Sequence, residues 1–187
     1  MSTEWITENR FLSLSEMQIN AVYIRDYLID DGWTLNSIAG MLGNMQTEST
    51  INPGTWENLE PYGTNPNVLG CGLVGWTPST KYTNWCAERG YTWYEMPPAL
   101  ERIKYELENG LQFYPSTQYP MTFQEFKVST ENPYTLGLVF LANYEKPLDP
   151  NQPQRGQQAV YWYDYLGGID PTPKRRKMPL YYYLRRL

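Results

Sequence analysis

The sequence predicts a mainly helical domain of the α+β class, a helical bundle interrupted once by a long irregular segment. Three observations carry this. Apolar residues recur at helical spacing over most of the chain. The periodic segments are bracketed by capping residues and by Gly or Pro stops. Residues 51–77 abandon that pattern for turn formers. A chain of 187 residues fits one domain with a sizeable core.

Taken in order, residues 1–12 read as an irregular lead-in. Ser15 and Gln18 have the spacing of a capping box, and Met17, Ala21, Ile24 and Leu28 give a stripe ending before Gly32. Thr34 can cap a second helix, in which Ile38, Met41, Leu42 and Met45 fall on one face. Glu48, one turn beyond Met45, projects from the end of that stripe. Asn52-Pro53-Gly54, Pro61, Gly63, Asn65-Pro66-Asn67 and Gly70 then form turns, and Gly70 and Gly72 allow close backbone approach. A long irregular segment in a compact domain is usually functional, and this one follows Glu48 directly.

The second half is helical again. Ser79 opens a helix with Tyr82, Trp85 and Cys86, stopped by Gly90. Pro97-Pro98 opens the next, with Leu100, Ile103, Lys104 and Leu107 along one side and Asn109-Gly110 as its stop. Thr122 and Glu125 cap a short piece with Phe123 and Phe126. Asn132-Pro133 begins a helix with Leu136, Val139, Phe140 and Asn143, ending before Pro147. The last helix follows Pro153, carries Ala159, Trp162, Tyr163 and Leu166, and closes at Gly167-Gly168. Residues 1–168 therefore read as one domain, and 169–187 as a linker and a basic, aromatic tail. No internal repeat is present.

Composition excludes several chemistries. There is no histidine, so a Ser-His-Asp triad, a Cys-His nucleophile and a His-ligated zinc site are ruled out. No metal or cofactor is expected. Cys71 and Cys86 either close a disulfide loop or are two buried thiols. The second reading is preferred, because the polar start of the chain is no signal peptide and implies synthesis in a reducing cytoplasm. No apolar run is long enough to span a membrane. Net charge is −5, and six of the 15 basic residues lie after Asp170, where there is no acid. The body is thus more acidic than the total suggests, which argues against nucleic-acid binding.

Glu48 is the residue with the clearest chemical potential. A carboxyl group held against apolar surface is harder to ionise, and an acid that keeps its proton near neutral pH can protonate a leaving group.

The words around it carry a resemblance. Gly43-Asn44-Met45-Gln46-Thr47-Glu48-Ser49, then Asn52-Pro53 and Gly70-Cys71-Gly72-Leu73-Val74-Gly75-Trp76-Thr77, resemble the phage tail lysozyme family. Phe140-Leu141-Ala142-Asn143-Tyr144-Glu145-Lys146-Pro147, Asn151-Gln152-Pro153 and Arg155-Gly156 match it in the same order. The likeness covers about Phe11 to Leu166 and is nearest to the lysozyme-like domain of podovirus tail-tip proteins. It implies a lysozyme-like fold, a helical bundle with a small irregular or β wing flanking the cleft. It also implies that Glu48 is the catalytic acid for cleaving peptidoglycan glycan strands. The expected setting is a virion, at the phage tail tip.

Glycoside cleavage needs an acid on the leaving oxygen, and most families add a second carboxylate. Glu57 and Glu60 in the wing segment and Glu145 are the candidates, although lysozyme-like enzymes with one essential glutamate exist. Glu145 with Lys146 and Arg155 is alternatively an ion pair joining two helices. Ser49 and Asn52 can brace the Glu48 loop. Asn52, Trp56, Trp76, Thr77 and Tyr144 are the candidate substrate contacts, the aromatic rings by stacking on sugars or else as core. The family usually places Gln where this chain has Gly75. The readings are thus an N-acetylmuramidase-type hydrolase, a lytic transglycosylase, or an inactive wall-binding or tail-structural module. The tail after Asp170 reads as a solvated end or, alternatively, as a segment that docks onto another virion protein or anionic wall polymers.

Overall fold

The computed structural model describes residues 4–167. Gly168 and the segment 169–187, read from sequence as a helix stop, linker and tail, lie outside the described residues. The described chain forms α1 (Leu14–Ile29), α2 (Leu35–Ser49), α3 (Thr80–Glu88), α4 (Met96–Glu108), α5 (Phe123–Lys127), α6 (Pro133–Phe140) and α7 (Pro153–Gly167). It is mainly helical, as the sequence predicts.

Most helix ends follow their local signals. Thr34 caps α2 by accepting from the Ser37 N–H, and Asn132 caps α6 by accepting from the Tyr134 N–H. Thr122 and Glu125 form the expected capping box on α5. The start of α1 differs. Ser13, not Ser15, is the N-cap, and its N–H donates to Glu16 Oε2 at 2.8 Å. The carboxylate wins over the Gln18 amide because it is charged and is fixed by a two-pronged contact from Arg10, at 2.9 and 2.6 Å.

Helix α2 is the centre of the bundle and packs chiefly against α6 and α7. Every residue from Ser37 to Met45 is buried. The one-sided stripe expected from sequence is therefore too narrow. The other faces are covered because they carry small residues. A Cβ on Gly40 would lie 2.8 Å from the Leu136 carbonyl carbon of α6, and one on Gly43 would lie 2.4 Å from the Arg155 oxygen of α7. Asn44 seals the junction by donating to the Gly40 and Gly137 oxygens at 3.0 and 2.9 Å.

Residues 51–77 form a wing built almost without strands. Two isolated antiparallel bridges, Trp56 with Cys71 and Cys71 with Trp76, hold it beside a 3-10 turn at Glu57–Leu59. Gly70 packs where a Cβ would meet the Thr77 hydroxyl at 2.5 Å, the close approach expected of that position. The helix expected to run to Pro147 divides. Helix α6 gives way to a π-helical turn, Leu141–Glu145, closed by Lys146 in a left-handed conformation. Single π turns in helices are frequent at functional sites.

Cys71 in the wing and Cys86 on α3 are buried free thiols, the preferred sequence reading. Burial pushes both well up, Cys86 to about 12. A thiol reagent such as Ellman's should therefore label neither cysteine in the native chain at neutral pH, and both after denaturation. Rapid stoichiometric labelling of the folded protein would contradict this burial.

Candidate active site

Glu48 occupies the last turn of α2, and the chain beyond it is tightly braced. Thr50 and Ile51 are both left-handed, at φ 56° and 54°. That conformation is strained for a β-branched residue and persists only where the surroundings enforce it. They do so here. The Ser49 hydroxyl donates to the Leu73 oxygen at 2.9 Å and accepts from the Asn52 N–H at 3.2 Å. Asn52 in turn donates to the Glu8 and Arg10 oxygens at 2.6 and 2.7 Å, and its Oδ1 accepts from the Gly54 N–H. Ser49 and Asn52 thus tie the end of α2 to the wing and to the lead-in segment, as their local hydrogen-bonding capacity suggests.

The Glu48 side chain is 26% exposed, and its Oε1 lies 2.6 Å from Arg155 Nη2 of α7. Its Oε2 faces Gly75 of the wing, where a Cβ would lie only 3.2 Å away. The carboxylate therefore stands where α2, α7 and the wing meet. Its setting is ionic, not the apolar one inferred from the stripe, because the stripe stops at Met45 and the helix turns Glu48 toward α7. The sequence offers Arg155 as one possible ion-pair partner of Glu145; its direct ion pair is instead with Glu48, and it acts on Glu145 only through space. Its side chain is 5% exposed, and besides Glu48 it donates to Gln152 Oε1 at 2.6 Å and to the Asn44 oxygens at 3.4 Å. The close crossing of α7 over Gly43 is what directs it to Glu48.

Glu145 ends the π turn. The residue is partly exposed, yet its Oε1 is fully covered and has no hydrogen-bond partner. Lys146 does not pair with it and lies over the Tyr114 ring, 4.1 Å from the centroid. Burial raises the Glu145 carboxyl well above the usual range; the neighbouring Glu48 and then Glu106 add to this, and Arg155 opposes it. A carboxyl raised by folding binds its proton more tightly in the native state, so it costs stability once pH passes the ordinary carboxylate value. Glu145→Gln should accordingly raise the thermal midpoint at pH 7 but leave it nearly unchanged at pH 4. An equal or larger gain at pH 4 would show that ionisation is not the cause.

Glu106 of α4, unremarked in the sequence, is a buried carboxylate with four partner contacts. It accepts from Trp76 Nε1 at 3.1 and 3.0 Å, from Arg102 Nε at 2.8 Å and from the Tyr144 hydroxyl at 2.6 Å. Its only sequence signal is the i, i+4 spacing to Arg102. Trp76 and Tyr144 are therefore buried members of this network. Trp56 is also buried, with its Nε1 donating to the Thr64 oxygen at 3.0 Å. Thr77 is exposed and donates to the Gly75 oxygen. Of the wing acids, Glu57 holds the Gly70 N–H at 2.6 Å and Glu60 is exposed; the structure groups neither with Glu48, whereas Glu145 lies within its electrostatic reach.

A sequence profile of phage tail lysozymes matches residues 19–166. The chain belongs to the phage tail lysozyme family. It is also 51% identical over 166 residues to "Morphogenesis protein 1" of Bacillus phage B103, an alignment covering 89% of this chain and 44% of that relative. The chain thus spans less than half the length of the relative it matches. In this chain, cavities of about 400 and 240 Å³ share Gln118 and Tyr119 as walls, and the smaller reaches Gln152, the Nε partner of Arg155. Neither is lined by Glu48. Among the described residues, no cluster of His, Cys, Asp or Glu is suited to a metal ion, and no helix is long and apolar enough to cross a membrane.

Proposed function

We propose that this chain is the peptidoglycan-cleaving part of a phage tail protein, an N-acetylmuramidase-type lysozyme that opens the host wall during infection. The observation that carries the reading is Glu48, a partly exposed carboxyl at the end of a buried helix, fixed by Arg155 and facing an irregular wing. Family membership supports the same reaction class. Glu48 gives its proton to the glycosidic oxygen between muramic acid and glucosamine units. The bond from that oxygen to the anomeric carbon breaks, and the glucosamine hydroxyl leaves. Water then bonds to the anomeric carbon, and its proton returns to Glu48. Tail-tip location, binding of the wall by the exposed wing, and docking of residues 169–187 onto other tail proteins belong to the same proposal.

One observation keeps the lytic transglycosylase reading open. Burial pushes the Glu145 carboxyl up, Glu57 is engaged with Gly70, and Glu60 is exposed, which favours a single working glutamate. A single glutamate serves equally when the muramic acid 6-hydroxyl replaces water as nucleophile. Digestion of purified Gram-positive wall decides between them. Hydrolysis yields free reducing ends, while transglycosylation yields anhydro-muramic ends lighter by one water in mass spectra. Absence of any cleaved glycan from walls of several hosts would instead support the inactive wall-binding or structural module, with Gly75 in place of the family Gln as the first position to restore.

A further inference from the structure

Arg155 is more deeply buried than the carboxylate it meets. Its guanidinium is shared among three partners on two helices: Glu48 and Asn44 on α2, and Gln152 at the head of its own helix. Asn44 is itself bound to α6 through Gly137. The fork is therefore anchored on three sides before it reaches Glu48. A planar guanidinium held this way fixes its acceptor's orientation as well as its charge. It occupies Oε1 and leaves Oε2 turned to the wing at Gly75.

We propose that Arg155 is a positioning residue for the reaction, holding Glu48 by Oε1 so that Oε2 is the oxygen that delivers the proton. This rests on the reading of Glu48 as the general acid. Arg155 does not touch the reacting atoms; it acts through the orientation of Glu48. The charged groups facing the pair are Glu145 from the π turn and, behind it, Glu106 of α4 with its partner Arg102. Among these groups, the ion pair to Glu48 is made by Arg155.

The test compares kcat and KM for wall lysis in wild type, Glu48→Gln, Arg155→Lys and Arg155→Met, each with its thermal midpoint. Arg155→Met should lower kcat about 100-fold. The loss should fall on kcat with KM nearly unchanged, because Arg155 acts on Glu48 and not on the substrate. Arg155→Lys keeps the charge but not the fork. It should restore roughly a tenth of wild-type kcat, again with KM nearly unchanged. Should Arg155→Met fail to fold, the Lys variant still decides: wild-type kcat in it overturns the proposal. So does a kcat loss in Arg155→Met that tracks a fallen thermal midpoint and that Arg155→Lys does not partly rescue, which would mark a purely structural arginine. If Glu48→Gln is inactive while both Arg155 variants behave as wild type, only this inference falls. If Glu48→Gln lyses wall as wild type does, or wild type does not lyse it, the Glu48 reading falls and takes this one with it.

Discussion

Glu48→Gln should abolish wall lysis while leaving the fold in place. The expected loss is about 10²–10⁴-fold in kcat, the range general acid catalysis supplies. The amide matches the carboxyl in size, and its oxygen can still accept from Arg155, which lies 2.6 Å from Oε1 in the native chain. What it lacks is a proton that can be given to a glycosidic oxygen. Because the site is partly exposed, the thermal midpoint should move by only a few degrees. Lysis followed by turbidity, with muropeptides identified afterwards, measures the effect. Retained lysis in a folded variant would transfer the acid role to Glu145, the neighbouring carboxyl that burial pushes above the usual range. Glu145→Gln would then be the inactivating change.

The second large effect lies away from the carboxylate. Gly43→Ala should destabilise the protein strongly and inactivate it. Ala ordinarily favours a helix over Gly by about 1 kcal/mol. Here the added methyl would lie 2.4 Å from the Arg155 oxygen and 2.7 Å from the Ala159 nitrogen, both backbone atoms of α7. Backbone cannot rotate aside as a side-chain tip can, so α7 must move away. We expect a net loss of about 3 kcal/mol, at the upper end for overpacking a core. The thermal midpoint should fall by on the order of 10 °C. Displacing α7 also withdraws Arg155 from Glu48, so the surviving folded fraction should be slow in lysis. Gly167→Ala is the control. There the new methyl meets only a Leu35 side-chain carbon at 3.6 Å, an ordinary contact, and the helix propensity gain should make it neutral or slightly stabilising. A Gly43→Ala variant as stable and active as wild type would show that α2 and α7 are not in the close contact on which the site depends.

These two variants separate what is written locally from what is not. The helices, their caps at Thr34, Thr122 and Asn132, and the irregular stretch after Glu48 are legible because each depends on residues within a turn or two. The same local logic puts Glu48 at a helix end beside a braced loop, and it marks Ser49 and Asn52 as the braces. It fails by a step at α1, where two overlapping box spacings compete and the charged Glu16 prevails over Gln18.

By itself the sequence determined a mainly helical chain, the position of its candidate acid and the resemblance to the phage tail lysozyme family. Only the tertiary structure decided the company that acid keeps. Arg155 is far from Glu48 in sequence, and nothing near either residue announces their contact. Gly40, Gly43 and Gly137 make it possible by letting three helices approach to backbone distance, and glycine carries no hydrophobic signal in a periodicity search. For the same reason Trp76 and Tyr144 proved to be core rings gathered around Glu106, and Glu145 a carboxyl with one covered oxygen that has no hydrogen-bond partner. Burial and charge pairing are properties of surfaces brought together by packing, and they exist only once the helices have met.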